Sequence, residues 1–578
     1  MLAWMNFGDG RRFPGAVPHS WAPMMPPGWG PAPAPLACSR PHNPFDQEAS
    51  MSANQASTNT NQTECINPAT AEIIGYSPEH TVADLLGAAA AARQAQIHWA
   101  ALDVRDRVKA LGGIKPWLVD RADTLAAVIS KDNGKTRTEA LATEVLPAVM
   151  ALSYYLGNAA RFLNPEPIPP SSLLLANKWS KLVRVPYGVV AIISPWNYPF
   201  SIPFAEVIMA LLAGNAVILK TATQTQMVGR ALETCFQEAN LPAGLFTFVN
   251  LPGKVAGDAL LDAGVDKLFF TGSVAVGRHL MAQAAKTLTP VVLELGGNDP
   301  MLVCDDADLD RASYGALWAA FQNCGQSCGG VERIYVHRAV YEPFLERLCS
   351  KVKSLRVGLP AGPQTDMGAM TTRQQTETVR RHLEDAISKG AIVAAQSPVP
   401  EGMEGGNFLP AMVLTQVDHG MLVMTEETFG PVVGVMPVGD MDEAVVLAND
   451  SPYGLTGSVW SRDVARAEQI GRRIRAGVIT INDHLMSHGL AETPWGGFKT
   501  SGMGRTHGKI GFHEMTQPQV VVHDLLSFAK RNLWWHPYSE ALYRGLRGAL
   551  HLFYGTRWRD RLAGLFPLAR VLTRIFRA

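Results

Sequence analysis

The sequence predicts an α/β protein built around a parallel, doubly wound sheet, with a second α/β domain after it. Its 578 residues exceed what one hydrophobic core organises, so two or three domains are expected. Short apolar runs alternate with helical segments from residue 188 onward, and a second series of such runs begins at Arg333. Short buried runs separated by helices are typical of parallel strands joined by crossover helices.

The composition excludes some classes of function. Hydrophobic residues make up 47% of the chain and charged residues 18%, and the formal net charge is zero. The molecule as a whole therefore has no electrostatic preference for nucleic acid. The seven cysteines are few and irregularly spaced, which indicates free thiols in a reducing compartment rather than a disulfide framework. We therefore expect a cytoplasmic protein.

The predicted elements follow one another in a simple order. Residues 1–62 are rich in Pro, Gly, Ser and Asn and lack apolar periodicity, so we expect them to be disordered. Residues 80–160 show a helical pattern of Ala-rich runs and charged faces. A further helix is expected at 200–212. The runs expected to form strands of the first sheet are 188–194, 216–220, 246–250, 267–270 and 291–295.

A cysteine in a small polar loop is the first candidate for chemistry. Cys328 follows Gly325-Gln-Ser and precedes two further glycines, and small neighbours let a substrate approach the backbone closely. A helix beginning nearby would lower the pKa of this thiol from its free value of ~8.5. Two other interpretations stay open: a buried structural cysteine, or a metal pair with Cys324, for which no further ligand follows at suitable spacing. Cys324 is otherwise a neighbour or a redox partner.

Two polar residues at the ends of predicted strands accompany this thiol. Glu294 lies in an apolar strand that breaks at Gly296, where partial burial would raise the pKa of its carboxyl and suit it to general-base catalysis. Asn197 follows the strand at 188–194, and ligands of open α/β sheets bind at the carboxyl ends of strands. Its amide suits a developing oxyanion, where one donor is worth ~3 kcal/mol in other enzymes. A surface glutamate and a turn asparagine are the alternatives.

A glycine-bearing turn between a strand and a helix is a weaker signal. Around Gly272 and Gly277, the backbone amides and the Ser273 hydroxyl can meet a pyrophosphate at a helix N-terminus. The turn is not a Walker loop, and the fingerprint Gly-x-Gly-x-x-Gly occurs nowhere in the sequence. Lys220, at the end of a predicted strand, can reach ribose hydroxyls, and a solvated lysine is the alternative.

Taken together, these residues make the chain similar to the aldehyde dehydrogenase superfamily. The resemblance covers residues 64–523 and rests on six motifs in the family order. The motifs are Pro195-Trp-Asn-Tyr-Pro199, Phe270-Thr-Gly-Ser273, Leu293-Glu-Leu-Gly-Gly297, Gly325-Gln-Ser-Cys328, Glu427-Thr-Phe-Gly-Pro431 and Pro494-Trp-Gly-Gly-Phe-Lys-Thr-Ser-Gly502.

The resemblance implies a specific reaction. Cys328 would attack an aldehyde, Asn197 and the Cys328 amide would hold the oxyanion, and hydride would pass to NAD or NADP. Glu294 would then activate water to release a carboxylic acid, and no metal is implied. The cofactor contacts implied at matching positions are Trp196, Lys220, Thr223, Gly272, Ser273, Gly277, Glu427 and Phe429.

The resemblance also implies a Rossmann-like cofactor domain, an α/β catalytic domain and a β-extension used for oligomerisation. A homodimer or homotetramer is expected on this basis. The domain limits that follow are 63–296 for the cofactor domain with part of the extension near 163–187, 297–495 for the catalytic domain, 496–523 for the return to the cofactor domain, and 524–578 for a tail.

One departure from the family pattern bears on the cofactor. Many NAD-preferring relatives carry a glutamate three residues after the lysine, where it binds the ribose 2′-hydroxyl. Here that position is Thr223. A carboxylate repels a 2′-phosphate and threonine does not, so NADP is expected to be accepted.

The tail is the second departure. Residues 525–578 hold ten Lys and Arg residues against two acids, and many aromatic residues lie between them. The apolar residues expected on one face of the last helix are Trp558, Leu562, Leu565, Ala569, Leu572 and Phe576. No run in the tail approaches the ~20 apolar residues that span a bilayer.

A basic, aromatic, amphipathic helix fits an anionic membrane surface, which places the protein at the inner face of a membrane. The membrane-associated fatty-aldehyde branch of the family has a similar tail. A helix packed on the enzyme or on a neighbouring subunit is the alternative.

Two other functions remain open. A CoA-dependent acylating dehydrogenase or acyl reductase passes the thioester to a thiol and needs no water-activating carboxylate, so Glu294 argues against it. A catalytically silent, membrane-associated scaffold would keep the fold alone, and the full set of Asn197, Glu294 and Cys328 argues against that. The sequence does not identify the aldehyde.

Overall fold

The computed structural model describes residues 61–360, 364–403 and 405–576. The expected disorder of residues 1–62 falls almost entirely outside these residues. The first strand begins at Gln62, slightly earlier than the proposed limit.

The N-terminal region is a small hairpin followed by a helical layer. The hairpin strands, which pair antiparallel, are β1 (Gln62–Ile66) and β2 (Ile73–Pro78). The helices are α1 (Val82–Ala101), α2 (Val104–Leu111), α3 (Ile114–Asp120), α4 (Ala122–Asn133), α5 (Arg137–Ala140) and α6 (Leu146–Leu163). A single π-helical turn, Leu141–Val145, joins the last two. A capping box between Thr81 and Asp84 starts α1 by satisfying its first free amides.

The first parallel sheet lies behind this layer. Two strands of a separate sheet come first, β3 (Glu166–Ile168) and β4 (Lys178–Pro186). The elements of the parallel sheet are β5 (Val189–Ile193), α7 (Ser201–Leu212), β6 (Ala216–Lys220), α8 (Gln226–Gln237), β7 (Phe246–Phe248), α9 (Gly253–Asp262), β8 (Lys267–Thr271), α10 (Val274–Ala284) and β9 (Val291–Glu294). β5 and α7 are buried along their whole length, as continuous apolar runs in a doubly covered parallel sheet should be.

A second sheet follows immediately. Its elements are β10 (Asp299–Val303), α11 (Leu309–Phe321), β11 (Val331–His337), α12 (Tyr341–Lys353), α13 (Arg373–Ser388), β12 (Ile392–Gln396), β13 (Met412–Thr415), α14 (Leu422–Thr425), β14 (Val432–Val438), α15 (Met441–Asn449), β15 (Thr456–Trp460), α16 (Val464–Gly471) and β16 (Val478–Ile481). The strand order is β12-β13-β14-β11-β10-β15-β16, and only β12 runs antiparallel to its neighbour.

The chain then returns to the first sheet. The returning elements are β17 (Gly502–Met503), α17 (Gly508–Glu514) and β18 (Thr516–Asp524). β17 completes the order β17-β9-β8-β5-β6-β7, and β18 joins β4 and β3 in a separate antiparallel sheet. The α/β fold class predicted from the sequence is confirmed, with two mainly parallel sheets, each with its own buried core.

The tail forms a helical hairpin of α18 (Glu540–Tyr554) and α19 (Trp558–Leu572). The helices approach closely because glycines face each other: a side chain on Gly548 would lie 2.6 Å from the carbonyl oxygen of Gly564. A separate small core holds the hairpin, made of Leu533, Leu542, Ala549, Leu568 and Val571, with Leu174 packed against it.

The apolar face predicted for the last helix remains exposed. Trp558, Leu562 and Leu565 are each more than half exposed, because α19 packs on α18 through the opposite side, which carries Leu568 and Val571. Among the described residues, one helical stretch, 137–163, is long and apolar enough to cross a membrane. Its buried residues belong to the hydrophobic core of the first sheet, as those of a core helix in a globular protein do.

Candidate active site

The loop that carries Cys328 has an unusual backbone. After α11 the chain makes a 3₁₀ turn in which Asn323, Cys324 and Gly325 have φ values of 53°, 56° and 70°. Left-handed conformations in residues other than glycine are strained and persist only where the surroundings hold them. Gly325 is required here because a side chain would lie 2.1 Å from the carbonyl oxygen of Gly430.

Hydrogen bonds hold this strained loop. The Asn323 backbone amide donates to Glu139 Oε1 at 2.8 Å, and the Asn323 side chain donates to the carbonyl oxygen of Asn197 at 2.9 Å. Gln326 Nε2 donates to the Asn323 carbonyl at 3.0 Å, and its Oε1 accepts from the Thr371 amide at 2.9 Å. The loop is thereby fixed to the turn that carries Asn197.

Asn197 lies beside the loop, as the sequence predicts for a residue at the end of β5. Its side chain is 3% exposed, and Nδ2 donates to the carbonyl oxygen of Gln326 at 3.1 Å. The donor is therefore pre-positioned within two residues of the thiol, which is the property that oxyanion stabilisation requires.

A buried ion pair holds this turn from the other side. Lys135 Nζ donates to Glu144 Oε1 at 2.6 Å and to the carbonyl oxygen of Asn197 at 2.9 Å. Glu144 Oε2 accepts from the amides of Phe200 at 3.0 Å and Ser201 at 2.9 Å. Both charged side chains are fully buried. The π-helical turn places Glu144 toward the core, and such turns recur at functional sites.

Cys328 lies where three cavities meet, since its side chain lines all of them. The strand β11 follows three residues later, and no helix begins at Cys328 in this part of the described chain. The condition under which a helix dipole would lower the thiol pKa is therefore not met. Burial raises the pKa of Cys328, and the nearby carboxyls of Glu427, Asp299 and Glu294 raise it further.

Glu294 ends β9 and faces the same point. Neither carboxylate oxygen has a hydrogen-bond partner among the described residues. Burial raises its pKa well above the ordinary value, and Glu206 adds to that shift while Arg505 opposes it. The predicted desolvation of this carboxyl is present in the structure, and a carboxyl of raised pKa suits proton transfer near neutral pH.

An apolar cavity leads to the thiol from one side. Its volume is about 320 Å³, and its wall is formed largely by aromatic and aliphatic side chains. Those side chains are Pro147, Tyr198, Ile202, Trp318, Leu485, Met486 and Trp495. The Tyr198 hydroxyl donates to Gln322 Oε1 at 2.6 Å, so the polar edge of this ring is already satisfied.

A trough reaches the thiol from the other side. Its near part, about 240 Å³, is lined by Trp196, Asn197, Gly272, Glu427 and Phe429. Its far part, about 590 Å³, contains Lys220 and Thr223. The two parts meet at Thr271 and Ser273, which line both. The trough therefore runs from the carboxyl end of β6 to Cys328, a length suited to a dinucleotide at the switch point of a doubly wound sheet.

The near part of the trough depends on a glycine. Glu427 Oε1 accepts from the Gly297 amide at 3.0 Å, and a side chain on Gly296 would lie 2.3 Å from Glu427 Oε2. Opposite this carboxyl, the rings of Trp196 and Phe429 contact edge to face with centroids 5.4 Å apart. Glu427 and both rings are thus brought together as the family resemblance implies.

The far part of the trough is positively charged. Lys220 is 4% exposed, and burial lowers its pKa to about 8. Lys254 lies in the first turn of α9 and lines the same cavity as the exposed Thr223. The acid there, Asp258, is paired with His279 at 2.8 Å. The chemistry of this wall therefore fits a phosphate-bearing ligand.

Two predicted residues have other roles in the geometry. The Ser273 hydroxyl accepts from the Val276 amide at 3.4 Å and caps α10, so it lines the trough as a helix cap. Gly277 lines neither part of the trough and is buried. A side chain on Gly277 would lie 2.6 Å from Leu295 Cδ2, so the glycine lets α10 pack on the chain after β9, and its contact with a cofactor stays a prediction.

The second cysteine of the loop is structural in its contacts. Cys324 Sγ donates to the carbonyl oxygen of Gly368 at 3.3 Å, and burial raises its pKa well above the ordinary value. No group of three or more metal-ligating side chains occurs in the described chain. The six cysteines that the structure describes are free.

Several residues of the site were missed by the sequence analysis. Lys135, Glu139 and Glu144 lie in a region read only as helical, yet they hold the Asn197 turn and the thiol loop. His488 and His507, which line cavities beside Cys328, follow no recognisable motif. The sequence gives little signal for Lys135 and Glu144, because the stretch around them, 131–144, holds several other charged residues.

The geometry defines an α/β enzyme in which an apolar cavity and a dinucleotide-sized trough meet at a thiol. A model of the aldehyde dehydrogenase family matches residues 55–521, and the chain belongs to that family. It is therefore an oxidoreductase that oxidises an aldehyde with NAD or NADP.

Relatives and solved structures agree with this assignment. A 4,4′-diapolycopene aldehyde oxidase of Methylomonas sp. is 41% identical over 85% of this chain and 91% of its own length. A protein of Mycolicibacterium smegmatis named for succinate-semialdehyde dehydrogenase activity with NADP(+) is 37% identical over 77% of this chain and 85% of its own length. The crystal structure of a Staphylococcus aureus betaine aldehyde dehydrogenase point mutant in complex with NAD+ is 30% identical, with a TM-score of 0.78, over 83% of this chain and 97% of that one.

Proposed function

We propose that this enzyme oxidises an apolar aldehyde to its carboxylic acid through a thioester on Cys328, with Asn197 and Glu294 as the other catalytic residues. The supporting observation is that all three side chains line the near part of the trough, while the apolar cavity reaches the same sulfur from the other side. A silent scaffold would not need the strained, hydrogen-bonded loop that presents Cys328.

The steps follow from the residues. The Cys328 sulfur forms a bond to the aldehyde carbon, and the oxygen that becomes negative is stabilised by Asn197 Nδ2 and by the Cys328 amide. Bound NAD(P)+ supplies the acceptor for the hydride that leaves this carbon. Glu294 then takes a proton from a water molecule whose oxygen attacks the thioester, and the carbon–sulfur bond breaks.

One assay separates the leading function from the acylating alternative. The purified protein is given an aldehyde and NAD(P)+, with and without CoA, while NAD(P)H absorbance and the acid product are measured. We expect NAD(P)H and acid in equal amounts without CoA. Turnover that requires CoA and yields an acyl-CoA would overturn the hydrolytic mechanism.

The substrate is proposed to be a medium- or long-chain apolar aldehyde. The wall beside Cys328 holds Trp318, Met486 and Trp495, and among the cavity's lining residues the only ionisable groups besides Cys328 are Glu139, Tyr198 and His488. Glu139 is already bonded to the Asn323 amide. An aldehyde ending in a carboxylate, such as succinate semialdehyde, finds no cation there.

A series of straight-chain aldehydes tests this specificity. We expect kcat/KM to rise with chain length by about tenfold for every two added methylenes that the cavity buries, at ~0.8 kcal/mol for each. Succinate semialdehyde is the contrasting substrate. A higher kcat/KM for succinate semialdehyde than for every apolar aldehyde would refute the proposal.

We propose that the enzyme accepts NADP and prefers it to NAD, because the wall of the trough favours the phosphorylated form. Thr223 offers no carboxylate to the ribose, and Lys254 lies in the same cavity. Thr223→Glu should lower kcat/KM for NADP and raise it for NAD. A preference of the parent enzyme for NAD of a hundredfold or more would refute this.

The domain limits and the oligomer remain proposals with structural support. The chain passes from the first sheet to the second between Glu294 and Asp299 and returns at β17, which agrees with limits at 296 and 495. On the antiparallel extension, Val520 and Val522 of β18 are more than half exposed. We propose that this face forms a homodimer or homotetramer, and light scattering of a Val520→Lys variant tests it.

The tail hairpin is proposed to contact an anionic membrane surface from the cytoplasmic side. The exposed apolar side chains Trp558, Leu562 and Phe566 lie beside exposed arginines. Arginine attracts acidic headgroups, and aromatic side chains suit the interfacial region. Contact with lipid would also bring the apolar cavity near apolar aldehydes.

Vesicle sedimentation tests this surface. The variant Trp558→Ser with Phe566→Ser should lose binding to vesicles containing phosphatidylserine, whereas neutral phosphatidylcholine vesicles should bind the parent protein weakly. Val446→Ser, at a residue that is 66% exposed on α15, is the matched control and should bind as the parent does. Equal sedimentation of all three proteins would refute the membrane contact.

A further inference from the structure

A second buried carboxyl lies behind the site and has no role in the mechanism above. Glu206 is on the fully buried helix α7 and is 4% exposed. Its Oε2 has no hydrogen-bond partner among the described residues. An unpaired carboxyl in an apolar interior is costly, so its presence calls for a function.

A small chamber joins this carboxyl to the reacting groups. Glu206, Glu294 and Cys328 all line it, and its volume is about 20 Å³. A cavity of that size holds about one water molecule when polar partners surround it. The unpartnered oxygens of Glu206 and Glu294 are such partners, and Thr506 lies in the same wall.

The other groups that face the chamber are neutral at neutral pH. Burial lowers the pKa of His488 to about 4 and that of His507 to about 3. The Thr506 hydroxyl is within 3.1 Å of His507 Nδ1. The positive charge that acts on Glu294 comes from Arg505, and its effect is smaller than that of burial and of Glu206. The chamber thus contains two carboxyls and no cation among its lining residues.

We propose that Glu206 is a positioning residue for thioester hydrolysis, which receives from Glu294, through a water molecule held in the chamber, the proton that the attacking water gives up. This rests on the proposed function of Cys328 and Glu294. When the water oxygen bonds to the thioester carbon, its proton passes to Glu294, the carbon–sulfur bond breaks with its electron pair on sulfur, and a proton moves on from Glu294 to Glu206. Glu294 is then ionised again for the next turnover.

A buried tyrosine hydroxyl interacts electrostatically with Glu206. Tyr155 on α6 is fully buried, and its hydroxyl has no partner among the described residues. Its pKa is raised by burial and by Tyr154, and then by both Glu206 and Glu492. Glu492 is exposed. Tyr155 therefore lies within electrostatic reach of a buried carboxyl and of one in contact with solvent.

The test separates thioester formation from its hydrolysis. In rapid-mixing experiments, formation gives a burst of NAD(P)H and hydrolysis sets the steady rate that follows. Glu206→Gln should keep the burst rate within about twofold and lower the steady rate by tenfold or more, since proton transfer by a placed group contributes ~10²-fold or more. Hydroxylamine, which attacks the thioester without needing a buried base, should restore the steady rate.

The pH profile supplies a readout that damaged packing would not move. Glu206 has a pKa raised to about 8 by burial, so it is an acceptor only once ionised, and the steady rate of the parent should rise with pH toward 8 and above. Because Glu294 must also be ionised and the charge of Glu206 raises its pKa, Glu206→Gln should move the rise to lower pH, whereas Glu206→Asp, which keeps the acid, should retain the parent's profile.

A matched control has the same chemistry elsewhere. Asp132 is buried, has one unpartnered oxygen and a pKa raised to about 7 by burial, and lines none of the cavities beside Cys328. Asp132→Asn should leave burst, steady rate and pH profile as in the parent. If Glu206→Gln also does so while Cys328→Ser is inactive, the inference is wrong and the proposed function stands. If Cys328→Ser is active, the proposed function itself is wrong.

Discussion

The thiol loop and the tail hairpin are stabilised by different kinds of contact. In the loop, three consecutive left-handed residues are held by buried hydrogen bonds to Glu139, Asn197 and Thr371. In the hairpin, five buried apolar residues hold two helices whose outer faces expose tryptophan, phenylalanine and leucine. The loop is held by polar contacts to distant segments, and the hairpin leaves much apolar surface exposed.

The two regions differ in what their contacts fix. The loop's contacts fix one conformation, which a covalent reaction needs because reacting atoms must be held in place. The hairpin's contacts fix only its fold, and its outer surface stays available to a partner. Substitutions in the first region should therefore affect chemistry and global stability, whereas those in the second should affect local stability and association.

The largest expected effect comes from the sulfur. Cys328→Ser keeps the shape of the loop and replaces the thiol by a much weaker nucleophile, so kcat for aldehyde oxidation should fall by about 10⁴-fold or more. NAD(P)H absorbance measures the rate, and circular dichroism should show an unchanged fold. A Cys328→Ser variant that keeps a tenth of the parent's rate would contradict this prediction.

The buried ion pair should give the next largest effect. Lys135→Met leaves Glu144 buried without its cation, and the free energy of unfolding should fall by about 3–5 kcal/mol. Because the pair also holds the Asn197 turn, kcat should fall too. Chemical denaturation measures the stability.

An exposed ion pair provides the control for that prediction. Glu468 and Arg472 are 57% and 77% exposed, and Glu468→Ala should change the free energy of unfolding by less than about 0.5 kcal/mol. Similar losses of unfolding free energy in Lys135→Met and Glu468→Ala would mean that the buried ion pair stabilises the protein no more than the exposed one.

The hairpin should respond locally. Leu568 is 5% exposed in the small tail core, and Leu568→Ala should destabilise the hairpin by about 2 kcal/mol. Hydrogen exchange should speed up across α18 and α19, while kcat stays within twofold. Leu565→Ala, at a residue that is 53% exposed, should do neither. A tenfold loss of kcat in Leu568→Ala would show that the tail supports the site.

The smallest effect concerns Lys220 and pH. Burial lowers its pKa to about 8 from an ordinary value of 10.5, so between these two values the unfolded chain binds the proton and the folded chain does not. Lys220 therefore makes the protein relatively more stable as pH rises through that window.

Cofactor binding should change in the opposite direction. Above pH 8 the neutral Lys220 loses its charge-assisted contact, and the Kd for NADP should rise by about tenfold between pH 7 and 10. Fluorescence titration measures it, and Lys220→Met should show a weaker but flatter dependence. An equally steep rise in that variant would assign the titration to another group.

Sequence reasoning succeeded where a residue's role is set by its immediate neighbours. The strands at 189–193 and 216–220 are continuous apolar runs, and a buried parallel strand leaves that pattern. Asn197 follows β5 and Glu294 ends β9 of the same sheet, so their convergence at its carboxyl edge was predictable, whereas Cys328 lies in the loop before β11 of the second sheet and was placed with them by its motif.

The failures concern contacts between distant segments. Gly277 packs against Leu295, a contact that no local pattern reveals. Glu144 and Glu206 lie in helical stretches that read as core, and only the packing of α6 and α7 brings them to the site. Cys328 lies in a loop before β11, and the strained turn preceding it is stabilised by side chains far away in sequence.

The meeting of separate cavities at one sulfur has a consequence for how such enzymes diversify. The cavity for the aldehyde and the trough for the nucleotide share almost no lining side chains, so a change of substrate specificity need not disturb cofactor binding. Related enzymes can then differ in the entrance that selects the aldehyde while they keep the same reaction centre.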